Sequence, residues 1–84
     1  MHEHILVEVY LPSVQRSFDV YVPLFCKLHE VEAMLAGALH ELSDGYFVPS
    51  PDTVLCDKTS GIMLDINSSA AELGLQNGSR LMLI

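Results

Sequence analysis

Positive charge is scarce in this chain. Its 84 residues include four lysines and arginines, Arg16, Lys27, Lys58 and Arg80, against eleven acidic residues, for a formal charge of −7. Phosphate backbones are held by basic patches, so this balance argues against nucleic acid, and equally against adhesion to an anionic membrane. An acidic chain favours a basic protein partner, or simply solvation. Tryptophan is absent, and the two cysteines, Cys26 and Cys56, form neither a CxxC pair nor a disulfide framework. That usage fits a reduced, intracellular setting, with both thiols acting as small buried hydrophobes. No apolar run approaches the roughly 20 residues of a membrane span. The N-terminal MHEHILVEVYL has no basic n-region and is interrupted by Glu8, so it does not read as a signal peptide. The five glycines, Gly37, Gly45, Gly61, Gly74 and Gly78, make no GxGxxG and no P-loop, and nucleotide binding finds no support.

What is present is ordered apolar sequence. Half of the residues are hydrophobic, enough for a compact core. The length suits one domain, residues 1–84, that buries only about 60–65% of its unfolded surface. The stretch Leu28 to Leu42, LHEVEAMLAGALHEL, organises the rest. At about 100° per residue, Leu28, Val31, Leu35, Leu39 and Leu42 fall on one stripe, widened by Met34 and Ala38. Glu30 and Glu32 suit the positive end of the helix dipole, although no Ser, Thr, Asp or Asn stands ready as a cap. Ser43-Asp44-Gly45 ends the helix, Gly45 being able to turn left-handed.

The other periodic segments alternate. Ile5, Val7, Val9 and Leu11 share one face of a first strand that Pro12 ends. Ser13 to Ser17 is the loop of a hairpin. Its second strand, Phe18 to Val22, turns Phe18, Val20 and Val22 inward and is closed by Pro23. Tyr46 to Asp52 holds Pro49 and Pro51 and reads as extended loop. Thr53 to Cys56 is a short strand, Asp57 to Gly61 a turn, and Ile62 to Asp65 a short strand pairing back. Ser68 or Ser69 caps a helical turn through Ala70 to Leu73, which Gly74 stops. Asn77-Gly78 leads into a last strand, Arg80 to Ile84, with Leu81 and Leu83 facing in and Arg80, Met82 and Ile84 facing out. The order ββ–α–ββ–turn–β, with first and last strands parallel at the centre, is that of an α+β β-grasp: a mixed sheet of four to five strands packed on one helix.

At Leu64, Ala70 to Leu73, Gly74-Leu75, Asn77-Gly78 and Leu81-x-Leu83 the chain resembles ubiquitin-like domains. Leu73 and Leu75 are then expected to plug the open end of the grasp. Length, FDVYVP running into KLHEV, a proline-containing loop after the helix, and the closing GLQNGSRLMLI extend the resemblance over nearly the whole chain. Together they point to the YukD/EsaB-type ubiquitin-like proteins of Gram-positive type VII secretion loci. The resemblance implies a non-enzymatic, non-conjugated interaction module without a cofactor. Such a module is a cytoplasmic accessory or regulatory component, recruited to the inner face of the membrane through cytosolic parts of secretion proteins. The alternative is a carrier of sulfur or a protein tag, acting with an adenylating enzyme. That role needs a flexible Gly-Gly tail, and the sequence given stops at Ile84, inside a strand.

Candidate sites are few. His2 and His4 with the amino terminus form a conceivable metal chelate, but a frayed polar terminus is the simpler reading. His29 and His40 share a helix face roughly 16 Å apart, too far for one ion. Cys26, one turn from His29, has no orienting third group or oxyanion site beside it, so no catalytic or metal site is assigned. The resemblance places a partner-binding patch on Val14, Leu55, Met82 and Ile84, and alternation independently turns Met82 and Ile84 outward. A second surface is the back of the helix, where His29, Ala33, Ala36, Gly37 and His40 leave an uncharged face open to a partner or a homodimer.

Overall fold

The computed structural model describes residues 3–84. His2, and with it the terminal chelate, lies outside them. Among the described residues the elements are β1 (His4–Leu11), β2 (Arg16–Pro23), α1 (Leu28–Leu42), β3 (Leu55–Asp57) and β4 (Arg80–Leu83). The sheet order is β2-β1-β4-β3. β1 and β4 run parallel in the centre, and β2 and β3 flank them antiparallel. The helix covers one face, which makes this an α+β β-grasp fold. No described helix is long and apolar enough to cross a membrane.

The strict alternation of β1 buries Ile5, Val7, Val9 and Leu11. Leu81 and Leu83 of β4 lie beside them, and Leu28, Val31, Leu35 and Leu39 close the core from the helix side. Each such side chain contributes about 1.5–3 kcal/mol by leaving water. Tight turns join the elements. Residues 12–15 carry the hairpin, with Gln15 at φ 54°, so β2 starts two residues before the expected Phe18. Gly78, at φ 88°, donates its N–H to the Leu6 carbonyl and seats the chain on β1 as it enters β4. A side chain there would strain a left-handed backbone.

The missing helix cap is supplied from the other end of the chain. The Leu28 N–H donates to the Ser68 carbonyl and the His29 N–H to the Ile66 carbonyl. Two of the helix's orphan donors are thus satisfied by main chain rather than by a side chain. The 66–72 segment is itself held by a reciprocal pair: Glu72 N–H donates to Ser69 Oγ, and Ser69 N–H donates to Glu72 Oε1. That is a capping box on one turn of chain.

Several expectations are corrected. Leu42 is 50% exposed, and Met34 and Ala38 face solvent as well. The chain reverses at Asp44 and Gly45, and Phe47 folds back beneath the last helical turn in Leu42's place. Buried Ser43 holds it: its Oγ accepts the Phe47 N–H at 2.8 Å, while His40 Nδ1 donates to the Phe47 carbonyl at 2.8 Å. Ile62 to Asp65 is not a strand. It makes one bridge, Met63 to Cys56, before Asp65 turns the chain by accepting from Asn67 N–H and Ser68 Oγ. The plug of the open end is Ala70, fully buried, with Leu75 half-buried behind it, whereas Leu73 is exposed. Cys26 is also exposed, because it sits in the β2–α1 connection rather than under the sheet; only Cys56 is buried.

Candidate functional site

The sheet face away from the helix is built by the even-numbered residues of β1 and β4. Their register sets Tyr10 beside Met82 and Glu8 beside Arg80. β2 adds Tyr21 next to Leu6 and Asp19 next to Glu8. On the far side Val54 and Ile84 exchange backbone hydrogen bonds of 2.6 and 3.0 Å, so the chain stays paired to its last residue. Met82 is half-buried, and Ile84 and Tyr21 are open to solvent.

A polar cluster crosses this face. Lys58 Nζ lies 3.6 Å from Glu8 Oε1 and 4.8 Å from the centre of the Tyr10 ring. The Lys58 N–H also donates to the Arg80 carbonyl, which fixes the turn after β3 against β4. Neither interaction is strong at a surface, about 0–1 kcal/mol each. Their effect is positional: they hold the tyrosine ring in place beside Met82. The turn has its own lock. Asp57 accepts from the Ser60 N–H at 2.9 Å and from Ser60 Oγ at 2.8 Å. These hydrogen bonds hold the Asp57 carboxyl below the usual carboxylate range.

Of the four residues expected on this patch, the structure brings two to the outer face. Met82 and Ile84 are where alternation placed them. Leu55 is not: it is 1% exposed, pairs with Leu83, and faces the core. A slip of one residue along a strand moves a side chain to the opposite face, and the residue that stands across from Met82 is Cys56. Cys56 is itself covered, with Met82 and Met63 as its ladder neighbours on either side. Burial raises its thiol pKa, and the nearby Glu32 carboxylate adds to the rise, so it stays protonated at neutral pH. Val14 sits in the hairpin turn, half-buried against the core. Sequence reasoning missed Tyr10, Glu8 and Lys58. Lys58 lies in a turn whose direction only the fold reveals, whereas Tyr10 was legible as an outward position of β1.

On the back of the helix the residues differ in exposure, Ala36 being half-buried. His29, Ala33 and Gly37 are exposed. His40 is half-buried and committed through Nδ1 to the Phe47 carbonyl, so it belongs to the loop as much as to any surface. Among the described residues no three histidine, cysteine or acidic side chains gather at ligand distance.

No family model matches the chain, and no curated protein matches it in sequence. Solved structures do match its fold. The ubiquitin-like domain of the Mycobacterium tuberculosis type VII secretion system protein ECCD1 overlays with a TM-score of 0.67 at 16% identity, covering 98% of both chains. The UBL domain of Plasmodium falciparum Dsk2 overlays with a TM-score of 0.73 at 16% identity, covering 96% of each. A chain of the MycP5-free ESX-5 inner membrane complex matches with a TM-score of 0.70 at 17% identity; it covers 96% of this chain but 20% of its own length. At these identities the likeness is one of architecture, and the fold is ubiquitin-like.

Proposed function

We propose that this protein is a non-enzymatic, non-conjugated ubiquitin-like docking module of a type VII secretion apparatus, binding cytosolic parts of its membrane proteins. The observation that carries the reading is the outer sheet face. Tyr10, Met82 and Ile84 form an apolar strip on a rigid four-stranded sheet, beside the mixed charges of Glu8, Lys58, Asp19 and Arg80. An apolar centre with a polar margin is the anatomy of a protein interface. The end-to-end overlay on the ECCD1 domain and the match within an inner membrane complex support the choice of system. So does the resemblance of the closing GLQNGSRLMLI to YukD/EsaB-type proteins.

The test is an affinity capture from the native host, comparing wild type with a Met82→Asp/Ile84→Asp variant whose folding is verified by circular dichroism. Secretion-apparatus membrane proteins should co-purify with the wild type and fall at least tenfold with the variant. Equal recovery by both would move the interface off this face. Recovery of an adenylating enzyme in place of secretion proteins would overturn the functional reading itself.

A further inference from the structure

The mouth between α1 and the β3 edge holds a second surface, different in character from the first. Here Glu32 of α1 faces Val54, Leu55, Met63, Leu64 and Ile66 across a groove of about 340 Å³. The apolar lining extends beyond the groove itself. Ile62 is 67% exposed, Met63 65% and Ile66 44%, so three bulky side chains within five residues stand in water at one edge. A volume near the lower end of the roughly 300–1,000 Å³ typical of ligand sites suits one or two apolar side chains. The flanking exposed residues need a longer occupant than a small molecule. Methionine at the rim lets such a surface repack around what it binds.

Charge selects the occupant. Glu32 forms part of the wall, Asp52 follows Pro51, another lining residue, and Asp65 separates Leu64 from Ile66. The one ion pair among the described residues joins Lys58 to Glu8 on the other face, so none of these three carboxylates is neutralised by a cation. The outer sheet face mixes both signs; the groove carries only negative charge among its lining residues. We infer that the groove is a docking site for a short peptide segment of a partner protein, anchored by one or two bulky apolar side chains and flanked by lysine or arginine. The apolar anchor would fill the space between Leu64 and Ile66, and the flanking cations would meet Glu32, Asp52 and Asp65. The inference does not depend on the secretion reading and concerns a different face.

The protein contains no tryptophan, so a tryptophan in the probe reports binding without background. The probe is the amidated peptide Lys-Lys-Leu-Trp-Leu-Lys-Lys, titrated at about 0.1 M salt, where screening acts over roughly 10 Å. Saturable blue-shifted emission is expected with wild type. Affinity should weaken at least tenfold in Ile66→Ser and severalfold in Glu32→Gln. It should stay unchanged in Tyr21→Ser and Met82→Ser, on the other face. Ile66 is partly exposed, so its variant should fold; Met63→Ser provides a second test of the lining. A peptide with glutamate in place of lysine, and one with serine in place of leucine and tryptophan read by competition, should both fail to bind. The inference is overturned if the serine peptide competes as well as the parent, or if Ile66→Ser and Met63→Ser bind like wild type. Loss of binding in Met82→Ser alone would also overturn it.

Discussion

Replacing Leu55 by alanine and, separately, Met82 by alanine tests the assignment of the two sheet faces. Leu55 is 1% exposed, so the substitution removes three buried carbon groups. At about 0.8 kcal/mol each, the lost transfer energy is about 2.4 kcal/mol. The cavity adds to this, giving about 3–4 kcal/mol in all, within the usual range of about 2–5 for leucine-to-alanine changes in cores. Met82 is half-exposed, so its truncation forfeits only about half as much transfer energy and leaves no closed cavity, about 1 kcal/mol. The two should differ by about 2 kcal/mol in urea unfolding followed by far-ultraviolet circular dichroism, with unchanged denaturant dependence. For a chain of this size each kcal/mol moves Tm by about 4–8 °C. A Met82→Ala cost equal to or above that of Leu55→Ala would refute the register. The distinction governs any binding experiment: an acidic substitution at Leu55 buries a charge, and loss of a partner would then report unfolding.

Four further outcomes follow from named contacts. Ser43→Ala leaves the buried Phe47 N–H without its acceptor and should cost about 1–3 kcal/mol; a loss below about 0.3 kcal/mol would mean the Phe47 turn does not need it. Iodoacetamide should modify exposed Cys26 under native conditions and spare Cys56 until the protein unfolds; equal rates at both thiols would contradict the packing. Because folding raises the Cys56 pKa above its unfolded value of 9.0, the folded state binds more protons there, and stability should fall as pH rises above about 9. Cys56→Ala should flatten that part of the urea-midpoint profile, and an unaltered slope would exclude the thiol as its cause. Asp57 has the opposite sign: its pKa is lowered by Ser60, so its contribution is present above pH 3.8 and lost as pH falls through the folded value. Asp57→Asn should therefore weaken the acid dependence of stability, and an unchanged acid profile would remove Asp57 from the account.

Long periodic elements were legible in the sequence because many residues vote on each. The twelve apolar and polar choices from Leu28 to Leu39 fix the phase of α1, and the alternation from Ile5 to Leu11 fixes that of β1. β3 has three residues, too few for alternation to choose a face, and the outward placement of Leu55 rested on the resemblance alone. Leu42 matched the helical stripe, but what lies beneath the last turn is decided by Phe47, five residues later, returning through a left-handed turn. The helix start lacked a visible cap because its acceptors, Ile66 and Ser68, arrive from the other end of the chain. The candidate surfaces divide in the same way. Met82 and Ile84 follow from alternation, whereas the groove joins Glu32 to residues 51–66, and no local pattern announces that meeting.

The same long-range tie bears on both proposed surfaces. The 66–72 segment caps α1 with its carbonyls and, through Ala71 N–H donating to the Leu24 carbonyl, also fastens the β2–α1 connection. The groove wall at Leu64 and Ile66 is thereby anchored to the helix that supplies Glu32. On the opposite face Lys58 is held by Glu8, by Tyr10 and by the Arg80 carbonyl, so Tyr10 and Met82 are presented on paired backbone. Side chains fixed before contact lose little conformational freedom on binding, which lets a modest apolar area give a specific complex. Mixed charge on the sheet face favours a partner chosen by shape and register, whereas unneutralised acid at the groove favours one chosen by positive charge. On the two proposals taken together, one small fold would hold two different proteins at once, each by its own face.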